Sequence, residues 1–69
     1  LNKNQTTAYV LAQTACALAE IEGMKAENMQ RAVLGQSMAY DEAAFQAVIE
    51  RYGIHHNGVI TMFNSAEDI

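Results

Sequence analysis

YDEAAFQAVIERYGIHHNGVITMFN, residues 40–64, is the stretch whose reading decides the fold. Asp41 is placed to cap a helix, because its carboxylate can accept the free backbone N–H groups two and three residues on. Tyr40 and Phe45 occupy the positions of a hydrophobic staple around that cap. Phe45, Val48, Ile49 and Tyr52 then recur at the spacing of one helical face, with Glu42, Gln46 and Glu50 on another. Gly53 is the expected left-handed stop, and Ile54 beyond it can fold back on Ile49 in a Schellman cap. Asn57 is then placed to cap a second, shorter helix through Val59, Met62 and Phe63. Local propensity points elsewhere, since Val59, Ile60, Thr61 and Phe63 favour strand and Asn57-Gly58 is a common hairpin turn. Only Ile54, His55 and His56 remain to make the opposing strand, too few for a ribbon that is stable in water. Helix from about Gly58 to Asn64 is therefore expected, and the stretch reads as helix, glycine turn, helix.

Upstream, Thr6 or Asn4 is expected to cap a long helix running from about Thr7 towards Leu34, with residues 1–5 frayed and Gly35 as its stop. Val10, Leu11, Leu18 and Ile21 fall on one broad side of it. Ala8, Ala12, Cys16, Ala19, Gly23 and Ala26 form an adjacent small-residue stripe, along which another helix can come close. The apolar arc is much wider than the roughly 100° that packing on one core requires. Two apolar faces imply two partners, one of them a second chain, so a homodimer is expected. Gly23 either lies inside a continuous or mildly bent helix, at a cost of about 1 kcal/mol against alanine, or divides it in two. Glu22 and Lys25 can pair across one turn, which favours continuity. Residues 65–69 carry two acids without periodicity and are expected to be loose.

The chain has 69 residues, enough for one domain and little core. Cys16 is its single cysteine, so no disulfide can form within it. Between Ala15 and Ala17 it reads as a small buried apolar side chain in a reducing compartment. Apolar residues make up 51% of the sequence and proline is absent, which excludes a disordered tail and favours helix. No apolar run is long enough to span a bilayer, so a cytoplasmic protein is expected. The formal net charge of −4 repels phosphate backbones and suits a protein partner with a basic surface.

Chemistry-bearing patterns are few. His55 and His56 are adjacent and point apart in regular structure, so they read as polar turn residues and not as a metal pair. Glu20, Glu22, Glu27, Glu42 and Glu50 lack the water-poor pocket that acid–base catalysis needs. Met24, Met29, Met38 and Met62 read as flexible core fillers. Neither an enzyme nor a cofactor or metal site is expected.

The sharpest functional pattern is the helix–turn–helix of residues 41–64. Val48, Tyr52, Ile54, Val59 and Met62 fall at the apolar places that lock the two helices of a DNA-binding motif, leaving His55, His56, Asn57 and Thr61 to face base edges. Two features oppose this. Ile49 stands where such motifs carry alanine, and the second helix contains no Lys or Arg to neutralise phosphate. A sequence-specific DNA-binding regulator is thus the alternative, and binding to a protein the leading reading. His55, His56, Asn57, Thr61, Glu42 and Glu50 form the candidate interaction surface.

The run Glu22-Gly23-Met24-Lys25-Ala26-Glu27-Asn28-Met29-Gln30-Arg31, with Gly35-Gln36-Ser37-Met38-Ala39-Tyr40 and Phe45, resembles small proteins of tailed phages and enterobacterial prophages. It covers the middle third of the chain and transfers no site residues. The resemblance implies an accessory product that works by binding a host or phage protein. The expected fold is all-α: a long N-terminal helix packed on the helix–turn–helix. Phe45, Val48, Ile49, Tyr52, Ile54, Val59, Met62 and Phe63 are expected as core, with Leu11, Leu18 and Ile21 opposite them. Truncating Phe45 is then expected to cost about 3–5 kcal/mol.

Overall fold

A computed structural model describes residues 1–66, which form three helices: α1 (Lys3–Val33), α2 (Glu42–Tyr52) and α3 (His56–Asn64). The helix starts four residues earlier than its composition suggests, because Asn2 and not Thr6 or Asn4 is the cap. The Asn2 side chain accepts from the Gln5 backbone N–H at 2.8 Å, and the Gln5 side chain accepts from the Asn2 backbone N–H at 3.0 Å. This reciprocal pair is a capping box with Asn and Gln in the two roles. Thr6, read as a cap, is instead a buried residue of the first turns, its hydroxyl donating to the Asn2 carbonyl. The helix runs through Gly23 without interruption, and Glu22 and Lys25 pair across one turn at 3.1 Å. It ends at Gly35, whose φ of +74° and the 2.8 Å bond from Gln36 N–H to the Arg31 carbonyl complete a Schellman turn.

The Asp41 cap and the Gly53 stop hold at the level of single atoms. Asp41 Oδ1 accepts from the Ala44 N–H at 2.9 Å. Gly53 takes the left-handed conformation at φ +69°, and the Ile54 N–H donates to the Ile49 carbonyl at 3.3 Å. Residues 56–64 are helix, as packing predicts against local propensity, but the cap lies two residues earlier than expected. His55 and not Asn57 starts α3, with its Nδ1 accepting from the Gly58 N–H at 3.2 Å. Ser65 is the C-cap of α3. The remainder of the expected loose end, residues 67–69, lies outside the described residues.

Two amide side chains on α1 fix the path of the returning chain. Asn28 Oδ1 accepts from the N–H groups of Ala39 and Tyr40 at 2.9 and 3.0 Å, while its Nδ2 donates to the Tyr40 carbonyl at 2.8 Å. Gln13 Nε2 donates to the Tyr52 carbonyl at 3.3 Å, at the far end of α2. One clamp lies before α2 and one after it, in reversed order along α1, so α2 runs antiparallel to α1. Beyond the glycine turn, α3 continues towards the start of α1, where Met62 and Ser65 share a hollow with Thr6 and Tyr9. Among the described residues α2 and α3 each pack on α1 and not on each other. The molecule is a helical hairpin whose second arm is bent, 55 × 17 × 10 Å in extent.

The core is small. Ala17, Met24 and Val48 are buried, with Ile21, Ala44, Phe45, Tyr52 and Ile54 packed around them at partial exposure. Ile49, Val59, Met62 and Phe63 are half-buried. The expected α1 face is wrong by part of a turn: Leu11 and Leu18 are 65% and 57% exposed, and Ala17 and Met24 take their place. Val10, Gln13, Ala17, Met24 and Asn28 share one side of α1, at steps of three, four and seven, and that side meets α2. Cys16, read as buried, is exposed, and Met29 and Met38 lie outside the core as well.

Candidate functional site

Three surfaces can be built from these elements. The first is the polar seam along α1 and α2. Arg51 donates to Glu20 across the helices, and the Arg51 guanidinium carbon lies 5.9 Å from the centre of the Tyr52 ring. The Tyr52 hydroxyl is hydrogen-bonded to Glu20, and this bond, with partial burial and the Glu20 charge, raises its pKa above the ordinary phenol value. Arg51 opposes that shift only weakly. The seam is a set of satisfied partners: no buried side-chain N or O among the described residues lacks a hydrogen bond. Such an arrangement orients two helices, and a phenol made less acidic is a poorer nucleophile at neutral pH.

The second surface is an open trough between α1 and α3, and it gathers part of the residue set picked out from sequence. His55, Asn57 and Thr61 line it with Tyr9, Gln13 and Met62. Two of these side chains are already engaged in local work. His55 caps α3, and the Thr61 hydroxyl donates to the Asn57 carbonyl at 2.8 Å. His56 is exposed in the first turn of α3 and does not line the trough. Glu42 and Glu50 do not join this group either. They stand with Gln46 at steps of four on the outer side of α2, all three exposed. The candidate surface therefore divides into a trough and a separate acidic face. Among the described residues no three His, Cys, Asp or Glu side chains come together as metal ligands. No helix among them is long and apolar enough to cross a membrane.

The third surface is the back of α1, opposite α2. Ala8, Leu11, Ala15, Leu18, Ala26 and Met29 repeat at steps of three and four there, apart from the step of eight between Leu18 and Ala26, which spans Glu22. All are exposed, Met29 at 69%. Glu22 is the one charged residue near the middle of the stripe, and its charge is turned towards Lys25. This surface was visible in the sequence as the second half of an over-wide apolar arc, but its membership was not. Choosing between two apolar faces needs the partner, and α2 supplies it only in the folded chain.

Compared with known proteins, the chain matches no family model, no curated protein and no solved structure.

Proposed function

We propose that this chain is a small non-enzymatic accessory protein of phage or prophage type that acts by binding protein, as a homodimer whose outer acidic faces engage a partner. The observation that carries the reading is where the apolar side chains lie. Among the described residues three apolar side chains are buried, while Leu11, Leu18, Met29 and Val33 stand exposed along a single helix. A water-facing apolar stripe of that length is unfavourable unless another protein surface covers it. The outer face of α2, with Glu42 and Glu50, offers a second, acidic surface suited to a basic protein.

Affinity capture from enterobacterial lysate tests the partner reading. The wild-type chain is expected to retain a discrete protein that the double variant Glu42→Lys/Glu50→Lys, equally helical by circular dichroism, does not. Identical capture profiles for the two would remove the acidic face from the proposal. The regulator alternative is tested by a mobility shift at low salt. With no Lys or Arg in α3 and Arg51 engaged by Glu20, no shift is expected at micromolar protein. A shift that weakens steeply as salt is added would replace protein binding by DNA binding.

A further inference from the structure

We infer that the back face of α1 is covered by a second copy of this chain running antiparallel, with the two-fold axis between Leu18 and Ala19. This rests on the homodimer of the proposed function and adds its direction and register. The exposed area of the elongated chain fits a copy-sized occupant. A folded monomer of 7.6 kDa exposes about 4300 Å², whereas this chain exposes 5005 Å². The excess, about 700 Å², is close to the ~800 Å² that each partner buries in a standard interface. The radius of gyration, 15.7 Å, likewise exceeds the ~11 Å of a compact chain of this length.

The identity of the occupant follows from the stripe itself. A two-fold interface must be complementary to itself. About an axis between Leu18 and Ala19, Leu18 meets Ala19, Ala15 meets Glu22, Leu11 meets Ala26 and Ala8 meets Met29. Each of these rungs sets a long side chain on a short one, which keeps the helices parallel to the seam without gaps or wedges. The in-register parallel arrangement fails at the same rungs. It sets Leu11 on Leu11, leaves Ala8 and Ala15 facing their own copies, and brings two Glu22 carboxylates together. Like charges in a seam are unfavourable, and the antiparallel arrangement also opposes the two helix dipoles favourably.

The test uses the full chain with Cys16→Ser as background and three samples under mild oxidation: Ala8→Cys, Met29→Cys, and the two mixed. Both positions are exposed in the protomer, so the fold is expected to survive each substitution. Within an antiparallel pair, the two copies of position 8 are about 31 Å apart along the helix, beyond the reach of a disulfide. Neither single variant should cross-link, and the mixture should give a covalent dimer. Light scattering of the uncross-linked chain should show twice the monomer mass, and Leu18→Glu should weaken association at least tenfold. A dimer in which Ala8→Cys links to itself overturns the antiparallel register and leaves the homodimer standing. A dimer that cross-links in none of the three samples overturns this interface. A monomer at every concentration overturns both the register and the homodimer.

Discussion

At the scale of single residues, two glycines make opposite demands. A Cβ added at Gly23 would meet nothing within 4 Å, and its φ lies outside the left-handed region. Gly23→Ala is therefore expected to stabilise the chain by about 0.5–1 kcal/mol, the ordinary helix-interior difference, read as a rise in thermal midpoint. At Gly58 the same Cβ would stand 2.5 Å from the Gly53 carbonyl oxygen, a backbone atom held by the turn. Gly58→Ala should lower the midpoint despite alanine's better helix propensity, and an unchanged midpoint would show that the turn yields. Tyr52 supplies a pH prediction. Its hydrogen bond to Glu20 favours the neutral phenol in the folded chain, so the folded pKa lies above the unfolded one. The stabilisation is fully present below the ordinary phenol value of 10.0 and is lost as pH rises through the raised value. Tyr52→Phe should accordingly lower stability at neutral pH and flatten the alkaline limb of a stability-against-pH curve.

At the scale of elements, the antiparallel hairpin depends on the link between α1 and α2, and Asn28 holds that link. Its three hydrogen bonds, at an exposed site, contribute about 1–2 kcal/mol together. Alanine would recover roughly 0.6 kcal/mol of helix propensity. The clamp wins, so Asn28→Ala is expected to cost about 1 kcal/mol and to speed amide exchange at Ala39 and Tyr40 specifically. Asn28→Asp, which keeps the acceptors and loses the donor to Tyr40, should fall between. Packing of α2 on α1 centres on Val48, 1% exposed, while Phe45 is only half-buried. Val48→Ala should cost about 2–3 kcal/mol, including the cavity it leaves beside Ala17 and Met24. Phe45→Ala should then cost no more than about that, well below what full burial of the ring would imply. Urea titration of the two variants gives the order directly. The element boundaries themselves were largely legible, because Asp41, Gly53 and Gly35 act on backbone groups within five residues. Asn28 was not, since its partners lie 11 and 12 residues away and nothing local distinguishes it from a solvated asparagine.

At the scale of the whole molecule, the balance between inside and outside decides the behaviour. A chain of this size has a total stability of order 3–10 kcal/mol, and only Ala17, Met24 and Val48 among the described apolar residues are buried. The proposed association over the back of α1 would add to that total by mass action, so the thermal midpoint is expected to rise with protein concentration. Leu18→Glu should abolish the dependence while leaving the midpoint at high dilution unchanged, because Leu18 contributes little within one chain. A concentration-independent midpoint in the wild type would mean that the protomer folds alone. The bent second arm also bears on nucleic-acid binding. Val48 and Tyr52 of α2, Ile54 of the turn, and Val59 and Met62 of α3 are spaced to lock one helix on another, but α2 and α3 each pack on α1 instead.

What the sequence determined by itself rests on near neighbours: three helices, the glycine stops of α1 and α2, the Asp41 cap and the helical state of residues 58–64 in spite of strand-favouring side chains. These follow from bonds and side-chain spacings of three to five residues, which a linear reading can see. The equally local caps Asn2 and His55 escaped that reading because other polar residues beside them compete for the same role. The tertiary structure alone decided which side of α1 faces inward. Both sides are apolar, so periodicity cannot rank them. The choice falls to a side that combines small Ala17, long Met24 and the two amides Gln13 and Asn28, because only that side can both pack Val48 and satisfy the backbone at each end of α2. Leu11 and Leu18, more hydrophobic than Ala17, are left facing water for that geometric reason.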